Sequence, residues 1–240
     1  MASRFVVGID LGTTNSALAF VDTGAGKDPA VTPFAIPQVV GQGVVEERPL
    51  LPSFLYLPGE GEQPAGALKL PWDAKRDYCV GEFARAFGSQ VPTRLVASGK
   101  SWLCHSGVDR KAAILPQKAP DTGRKVSPVE ASVRYMKHLA EAWNYAVAKD
   151  VEANRLEAQD IVLTVPASFD AAARDLTIEA ARTAGFEHLT LLEEPQAAFY
   201  AWLDRCGDDW RKQVNVGDLV LVSDVGGGTT DFTMIEAAQE

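Results

Sequence analysis

Two short stretches, residues 8–15 and 223–231, share a pattern that suits the binding of a phosphate chain together with a metal ion. Each stretch delivers an aspartate, a glycine-rich turn and two threonines. Glycine lets backbone N–H groups approach an anion without a Cβ in the way, and threonine hydroxyls add donors. An aspartate repels phosphate, so its presence indicates a cation between them, and hydrated Mg²⁺ suits oxygen ligands. Two such loops facing each other would hold a triphosphate from both sides.

Each stretch lies between two runs of strand-like residues, so we interpret each one as a β-hairpin with a glycine-rich turn at its tip. Taken singly, either turn could be an ordinary glycine hairpin, because short motifs often occur by chance. The repetition of the whole pattern, with an aspartate at each strand end, favours the phosphate interpretation.

The composition argues against several classes of function. A formal net charge of −9 disfavours nucleic acid and anionic membrane surfaces as partners, because both require basic patches. A hydrophobic content of 46% over 240 residues is enough for a buried core, in one large domain or two smaller ones. The cysteines have no disulfide or zinc spacing, no apolar run approaches the ~20 residues of a membrane span, and the start lacks signal-peptide features. We therefore expect a cytoplasmic protein.

Strands alternate with helices along the second half of the chain, which predicts an α/β sheet with parallel strand pairs. The clearest helix begins after Ser127, where Glu130 is expected to complete a capping box, and its apolar stripe continues to Val147. Asp170 is expected to cap a second helix, which Gly185 ends. The remaining predicted elements are buried strands at 161–165 and 189–192 and a helix at 196–206.

The first half of the chain is harder to assign, because residues 22–73 are rich in Gly and Pro. A strand is predicted at 52–57 and a short helix at 83–87. We expect residues 38–126 to form an insertion with a small core of its own.

Three carboxylates are expected to meet at one edge of the sheet. Asp10, Glu194 and Asp224 lie at or just past the carboxyl ends of predicted strands. Open α/β sheets bind their ligands beyond these ends, so the sequence predicts an acidic, metal-assisted phosphate site there.

Four motifs, in this order, resemble those of the ATPase domain of the seventy-kilodalton heat-shock chaperones of the DnaK type. Residues 7–16 are similar to the opening of that domain, and residues 224–231 are similar to its second phosphate loop. Residues 165–170, followed by Arg174, resemble its crossover motif, and 193–198 resemble its Asn-Glu-Pro-Thr-Ala-Ala segment. The similarity spans nearly the whole chain. It implies a divergent, bacterial-type branch of the family and an α/β, actin-like (ribonuclease H-like) ATPase fold.

The resemblance implies that ATP or ADP binds with Mg²⁺. Asp10 and Asp224 would hold the metal through its waters, and Glu194 would help to place metal-bound or attacking water. Asp224, Thr229 and Asp231 are further catalytic candidates in the same polar pocket. The residues implied to contact the β- and γ-phosphates are Gly12, Thr13, Thr14, Asn15, Gly226, Gly227, Gly228 and Thr229.

Two further matches concern communication and charge. Arg174 and Pro195 match positions that the family uses to carry nucleotide state to its substrate domain, although a proline also simply starts a helix well. Where the family has a catalytic lysine in a Gly-Asp-Ala-Ala-Lys segment, this chain has Gly-Glu-Phe-Ala-Arg, ending at Arg85. Arg85 is therefore the catalytic cation that the alignment implies. Its planar fork differs from a compact ammonium, and the other interpretation is a surface residue on a short helix.

The resemblance also implies a division of the chain. Residues 1–213 would form the first lobe of the ATPase domain, with the insertion at 38–126, and residues 214–240 would form the first hairpin of a second lobe. We expect the chain to be the front piece of a longer protein. By itself it is expected to be inactive, to bind nucleotide weakly and to expose apolar surface that favours dimers or aggregates.

The activity implied for the longer protein is ATP hydrolysis in the folding of other proteins. The implied partners are a peptide-binding domain, unfolded clients, J-domain proteins and nucleotide-exchange co-chaperones. Two alternatives share the same fold: a small-molecule kinase, such as a sugar kinase, and a polymerising actin-like structural protein. A kinase needs a base beside the acceptor hydroxyl, and the sequence offers no strong candidate for it.

Overall fold

A computed structural model describes residues 3–239 as a mixed α/β structure. A hairpin of two long strands opens the chain, mostly short strands fill the rest of its first half, and longer helices and strands share the second half. In chain order the strands are β1 (Phe5–Leu11), β2 (Asn15–Asp22), β3 (Thr32–Pro33), β4 (Ile36–Gly41), β5 (Val44–Arg48), β6 (Leu51–Pro52), β7 (Leu55–Tyr56), β8 (Cys79–Val80), β9 (Leu95–Val96), β10 (Asp160–Val165), β11 (Leu189–Glu193), β12 (Leu219–Val225) and β13 (Thr230–Glu236).

The helices differ widely in length, and the three longest lie in the second half of the chain. They are α1 (Glu82–Gly88), α2 (Gly99–Trp102), α3 (Pro128–Trp143), α4 (Ala171–Thr183) and α5 (Glu194–Cys206). A π-helical turn over Asn144–Ala148 continues α3, and short 3₁₀ turns occupy Glu152–Asn154, Leu156–Ala158 and Gly207–Lys212.

The main sheet has the strand order β11-β10-β1-β2-β3, with β6 also paired to β2. The β1–β10 and β10–β11 pairs are parallel, whereas β1 and β2 form an antiparallel hairpin. Alternate β1 residues are buried, and these belong to one core cluster with residues of α3 and α4. The sheet therefore buries one face against these helices, and Asp10 lies on the other face of β1. The prediction of parallel strand pairs is confirmed.

Trp143, at the end of α3, lies at the centre of this core. Its ring meets Phe5 and Phe20 edge to face, at centroid distances of 5.3 and 5.0 Å. Its indole N–H donates to the backbone oxygen of Asn154 at 2.9 Å, so the one polar atom of this fully buried side chain is satisfied.

The predicted helix starts are confirmed, with one difference in detail. The Ser127 hydroxyl accepts from the backbone N–H of Glu130 at 3.0 Å, and Asp170 accepts from that of Ala173 at 2.6 Å. The Glu130 carboxylate, however, accepts from Arg134 one turn later instead of closing the capping box. A charged donor at i+4 competes for this carboxylate.

The strand expected at 52–57 is split, and this corrects the prediction. Between β6 and β7, the N–H of Ser53 donates to the Thr14 carbonyl, and that of Phe54 turns back to Pro52. The chain therefore leaves one sheet and enters another within two residues. The strand at 189–192 is present, but as an edge strand it is only half buried.

Residues 38–126 contribute to two cores. A small cluster is built entirely from this segment, while Leu55, Val80 and Leu103 belong to the main core. The buried members of the small cluster are Val39, Tyr56, Leu68, Leu70, Cys79, Phe83 and Ala84.

The hairpin of β12 and β13 forms a separate two-stranded ribbon. It contacts α5, which also contacts β10 and β11 of the main sheet. Leu221 and Phe232 are more than half exposed, so the ribbon buries little apolar surface. Over residues 3–239, no helix has the length and apolar character needed to cross a membrane.

Candidate functional site: a cleft between two hairpin tips

The two hairpins have the same register. In the first, Asp10 pairs with Ala17 and the strands close at Leu11 and Ser16; in the second, Asp224 pairs with Asp231 and the strands close at Val225 and Thr230. Each aspartate thus lies two residues before the first glycine of a four-residue turn, at 12–15 or 226–229. The two similar sequence stretches therefore form hairpins with the same strand register and turn length. This confirms the hairpin prediction.

The two turns face each other at contact distance. A Cβ added to Gly227 would lie 2.3 Å from the Thr14 methyl, and one added to Gly228 would lie 2.9 Å from the Thr13 methyl. Real Cβ atoms do not approach other atoms so closely, so glycine is required at Gly227 for the present loop positions. Gly12 is equally confined, since a Cβ there would lie 2.2 Å from the backbone oxygen of Asn15.

Ser53 holds the first turn in place. Its hydroxyl donates to the Gly12 carbonyl at 2.7 Å and lies 2.9 Å from the Ser16 hydroxyl, and its N–H donates to Thr14. The side chain is buried. Sequence reasoning missed this residue, because a serine next to a proline carries no signal of a partner 39 to 41 residues earlier in the chain.

A cleft of about 430 Å³ lies between the tips and extends to the start of α5. Its walls combine the two turns with three carboxylates and one lysine. The lining residues include Asp10, Gly12, Thr13, Thr14, Asn15, Lys100, Thr164, Glu194, Asp224, Gly226, Gly227, Gly228 and Thr229. All the metal and phosphate candidates predicted from the sequence therefore line one cleft.

The carboxylates come from three separate elements. Asp10 is the last residue on the exposed face of β1. Its carboxylate accepts a hydrogen bond from the Thr164 hydroxyl of the neighbouring strand β10 at 2.9 Å. Asp224 occupies the matching place on β12, and Glu194 begins α5. Among residues 3–239, no three acidic, histidine or cysteine side chains are grouped closely enough to hold an ion by themselves. A metal here would need water among its ligands.

Burial raises the pKa of the Glu194 carboxyl above its usual range. Lys100 opposes this shift through its charge and its hydrogen bond, while the negative charges of Asp10 and Asp224 add to it. A raised pKa in a cleft lined by charges is typical of functional carboxyls.

Lys100 forms an ion pair with Glu194, and both side chains are largely buried. Arg85, by contrast, is half exposed on α1, pairs with Glu82 at 2.6 Å and does not line the cleft. The structure thus does not bring Arg85 together with the other predicted site residues. Lys100 was missed, because a lysine in a four-residue helix has no periodic pattern around it.

The other predicted residues lie at the margin. Asp231 does not line the cleft, but it accepts from the Thr229 hydroxyl at 3.2 Å. Arg174 donates to the Glu193 carboxylate at 2.7 Å and to the Phe169 carbonyl at 3.2 Å, and so joins the 166–170 segment to the start of α5. Pro195, in the first turn of α5, is buried.

A larger hollow, of about 780 Å³, lies in the 58–124 region. Its three arginines are already paired: Arg94 with Glu62, Arg124 with Asp77, and Arg76 with Asp73 and Glu141. The glycine-containing loop at its rim already has a partner, since the backbone N–H of Gly59 donates to the Glu62 carboxylate at 2.7 Å. The greater volume of this hollow therefore does not make it the better candidate. The smaller cleft between the hairpin tips is the candidate site.

A family model described as Hsp70 protein matches residues 76–239. The chain belongs to the Hsp70 family. It is 31% identical over 248 aligned residues to a protein named chaperone protein HscA from Serratia proteamaculans, and 34% identical over 250 residues to an HscA homolog from Mannheimia succiniciproducens. An HscA homolog from Bordetella pertussis is 31% identical over 247 residues.

These alignments cover 98% of this chain but 33% of each relative. The chain therefore spans about a third of the length of the Hsp70-family relatives it matches. These matches confirm the family that the four sequence motifs predicted. Proteins of the Hsp70 family are chaperones with ATPase activity.

Proposed function

We propose that this chain forms the phosphate-binding part of an ATP-hydrolysing chaperone of the DnaK type. The supporting observation is the meeting of two hairpin turns of identical register across one acidic cleft, with Gly227 against Thr14. An extended polyphosphate with a metal matches such a cleft, because it offers oxygens to both turns and a cation to the carboxylates.

The residues fit Mg²⁺ and a nucleotide. The turn glycines leave the backbone room that a Cβ would fill at Gly12 and Gly227. Asp10 and Asp224 would hold Mg²⁺ through its waters, in keeping with the preference of this ion for a partly hydrated oxygen shell. When bound, Mg²⁺ neutralises phosphate charge. The turn residues proposed to contact the β- and γ-phosphates are Gly12, Thr13, Thr14, Asn15, Gly226, Gly227, Gly228 and Thr229.

Catalysis of phosphate transfer depends on positioning and on charge more than on covalent help. Glu194 would orient the attacking water, since its carboxylate faces the cleft from the start of α5. Thr229 would act from the second turn, and Asp231 would act through its hydrogen bond to Thr229. Thr164 would keep Asp10 in orientation.

The proposed setting is an actin-like ATPase domain in which residues 1–213 belong to the first lobe, 38–126 form its insertion and 214–240 begin the second lobe. The natural protein would act in the cytoplasm with a peptide-binding domain, unfolded clients, J-domain proteins and exchange co-chaperones. An adenosine site shared with a second lobe would make nucleotide binding by residues 1–240 alone weak.

Calorimetry of the natural protein that contains this chain tests the proposal. We expect ATP to bind in the presence of Mg²⁺ and to bind more weakly with EDTA, and we expect hydrolysis to release inorganic phosphate. Asp224→Asn should reduce the Mg²⁺ dependence, whereas Asp209→Asn, on an exposed 3₁₀ turn, should retain it. Failure of the natural protein to bind ATP would overturn the proposal, and transfer of phosphate to a sugar would indicate a kinase instead.

A further inference from the structure

Two unfavourable features meet at the start of the short helix α2. Ser98, which precedes the helix, has a φ of 55°, in the left-handed region that non-glycine residues seldom adopt, and its side chain does not cap the helix. The Tyr135 side chain of α3 is fully buried, and within residues 3–239 its hydroxyl has no hydrogen-bond partner. Each feature costs free energy, so other contacts must hold both in place.

Gly99, the first residue of α2, connects the two features. A Cβ added to Gly99 would lie 3.3 Å from the Tyr135 hydroxyl and 3.4 Å from the Ala131 methyl, so the glycine backbone packs directly on that hydroxyl. An unpartnered tyrosine is not the rule in this protein, because Tyr56, which is also fully buried, accepts a hydrogen bond from Gln63 at 3.2 Å. The cost at Tyr135 is therefore specific to its contact with α2.

Contacts further along the chain hold α2 in its observed position. Leu103, just after the helix, is fully buried in the main core, and Lys100 pairs with Glu194 at the cleft wall. A helix of four residues has few hydrogen bonds of its own, so these contacts matter more than its intrinsic stability. The costs thus lie at Ser98 and Gly99, whereas the restraints lie at the residues that follow them.

A displacement of the start of α2 would remove both costs together. Moving Gly99 away from α3 gives the Tyr135 hydroxyl access to water, and it allows Ser98 to return to a favourable backbone region. Leu103 can remain in the core meanwhile, because hinges are commonly a few residues at the end of an element. The same displacement carries Lys100 away from Glu194, so it changes the wall of the cleft.

We propose that α2 is a hinged part of the cleft wall, with Ser98 as its hinge and the Tyr135 hydroxyl as the group that gains a hydrogen bond when it opens. The structure shows the closed position, in which Lys100 pairs with Glu194. In the open position this ion pair is broken, and the cleft is wider beside the start of α5. The hinge goes beyond the proposed function, since it requires no particular ligand in the cleft.

Amide hydrogen exchange of the natural protein, measured without nucleotide, tests the hinge. We expect residues 99–103 to exchange by local opening, which depends little on urea, and not through global unfolding, which depends on it steeply. Ser98→Gly removes the steric cost of the closed position and should slow this exchange by about fivefold. Tyr135→Phe removes the unpartnered hydroxyl and should slow it by at least about fivefold.

Two matched control variants make the same chemical changes elsewhere. Lys149→Gly replaces the other non-glycine residue with a positive φ among the described residues, 51°, which lies just after the π-helical turn. Tyr56→Phe removes a hydroxyl that has a partner, from a tyrosine in the small core cluster. Because both sites are distant from α2, neither variant should change the exchange of residues 99–103 by more than about twofold.

The hinge requires slower exchange of residues 99–103 in both Ser98→Gly and Tyr135→Phe, and any other result overturns it. Faster exchange in Tyr135→Phe would mean that the hydroxyl already has a partner in the closed position. Exchange that occurs only through global unfolding would mean that α2 does not open by itself. Since no nucleotide is present, these outcomes are independent of whether the natural protein binds ATP.

Discussion

Gly227 packs against Thr14 so that the tips of two hairpins more than 200 residues apart in sequence are in contact. The contact is made by a backbone on one side and a methyl group on the other. The width of the cleft is therefore set by the absence of a side chain at Gly227. A single added methyl group would force Thr14 or one of the turns to move.

Gly227→Ala is expected to weaken ATP binding by at least about tenfold, equivalent to about 1.4 kcal/mol. The added Cβ would separate the turns, so that both cannot contact the same phosphates. Because Gly227 is exposed, the free energy of unfolding should change little. Calorimetry with ATP and Mg²⁺, alongside denaturant unfolding, measures both quantities.

Gly41→Ala is the matched control for this change. Gly41 lies in another hairpin, and a Cβ there would meet Val44 at an ordinary contact distance of 3.7 Å. We expect parental affinity from this variant. If Gly227→Ala also bound ATP as the parent does, the two turns would not be acting on one ligand.

Ser53→Ala should loosen the first turn while leaving the second untouched. The substitution removes the hydrogen bond to the Gly12 carbonyl and the contact with the Ser16 hydroxyl. Leaving such buried polar groups without a partner costs about 1–3 kcal/mol. We expect a loss of both stability and ATP affinity, measured by urea unfolding and calorimetry.

Ser132→Ala separates these two effects. Ser132 is also a buried serine that donates to a backbone carbonyl, that of Pro128 at 3.0 Å, but it lies within α3. This variant should lose stability without losing ATP affinity once folded. Equal affinity losses in the two variants would mean that Ser53 acts only through global stability.

His138 should make the protein sensitive to mild acid. Burial lowers the pKa of His138 from about 6.5 to about 4, with the positive charge of Arg76 adding to the shift and the hydrogen bond with the Pro37 carbonyl opposing it. Between pH ~6.5 and about 4, His138 is therefore protonated in the unfolded chain but neutral in the folded chain. The stabilisation is fully present above pH ~6.5 and is lost as the pH falls towards 4.

His138→Gln should flatten this dependence. The amide can still donate to the Pro37 carbonyl but does not titrate, so the parent should lose roughly 2 to 3 kcal/mol more than the variant between pH 7.5 and 4.5. Urea unfolding across this range, with exposed His188→Gln as the control, measures the difference. A parallel fall in parent and His138→Gln would show that carboxyl groups alone cause the acid sensitivity.

Features that depend on a local residue pattern could be predicted from the sequence. Ser127 and Asp170 mark helix starts because their side chains satisfy backbone groups three residues away. The repeated turn chemistry predicted both hairpins, and the strand ends located the three carboxylates. In each case the physical cause lies within a few residues of the signal.

Features that depend on distant contacts could not be predicted in this way. The chain leaves the main sheet near Ser53, whose backbone and hydroxyl donate to a turn 39 to 41 residues earlier. Lys100 lines the cleft from a short helix in which Gly99 packs against α3, and Ser98 before it adopts a left-handed conformation. Alignment to the family motif instead indicated Arg85, and motif position does not state whether a side chain faces inwards.

The two walls of the cleft differ in mechanical support. The first turn belongs to the main sheet and is tied down by Ser53, whereas the second is carried on a ribbon with Leu221, Phe232 and Met234 more than half exposed. Local resistance to opening follows the amount of buried apolar contact, so amide hydrogens of β12 and β13 should exchange before those of β1 and β10. Within residues 1–240 taken alone, a bound polyphosphate would thus bridge a rigid wall and a compliant one.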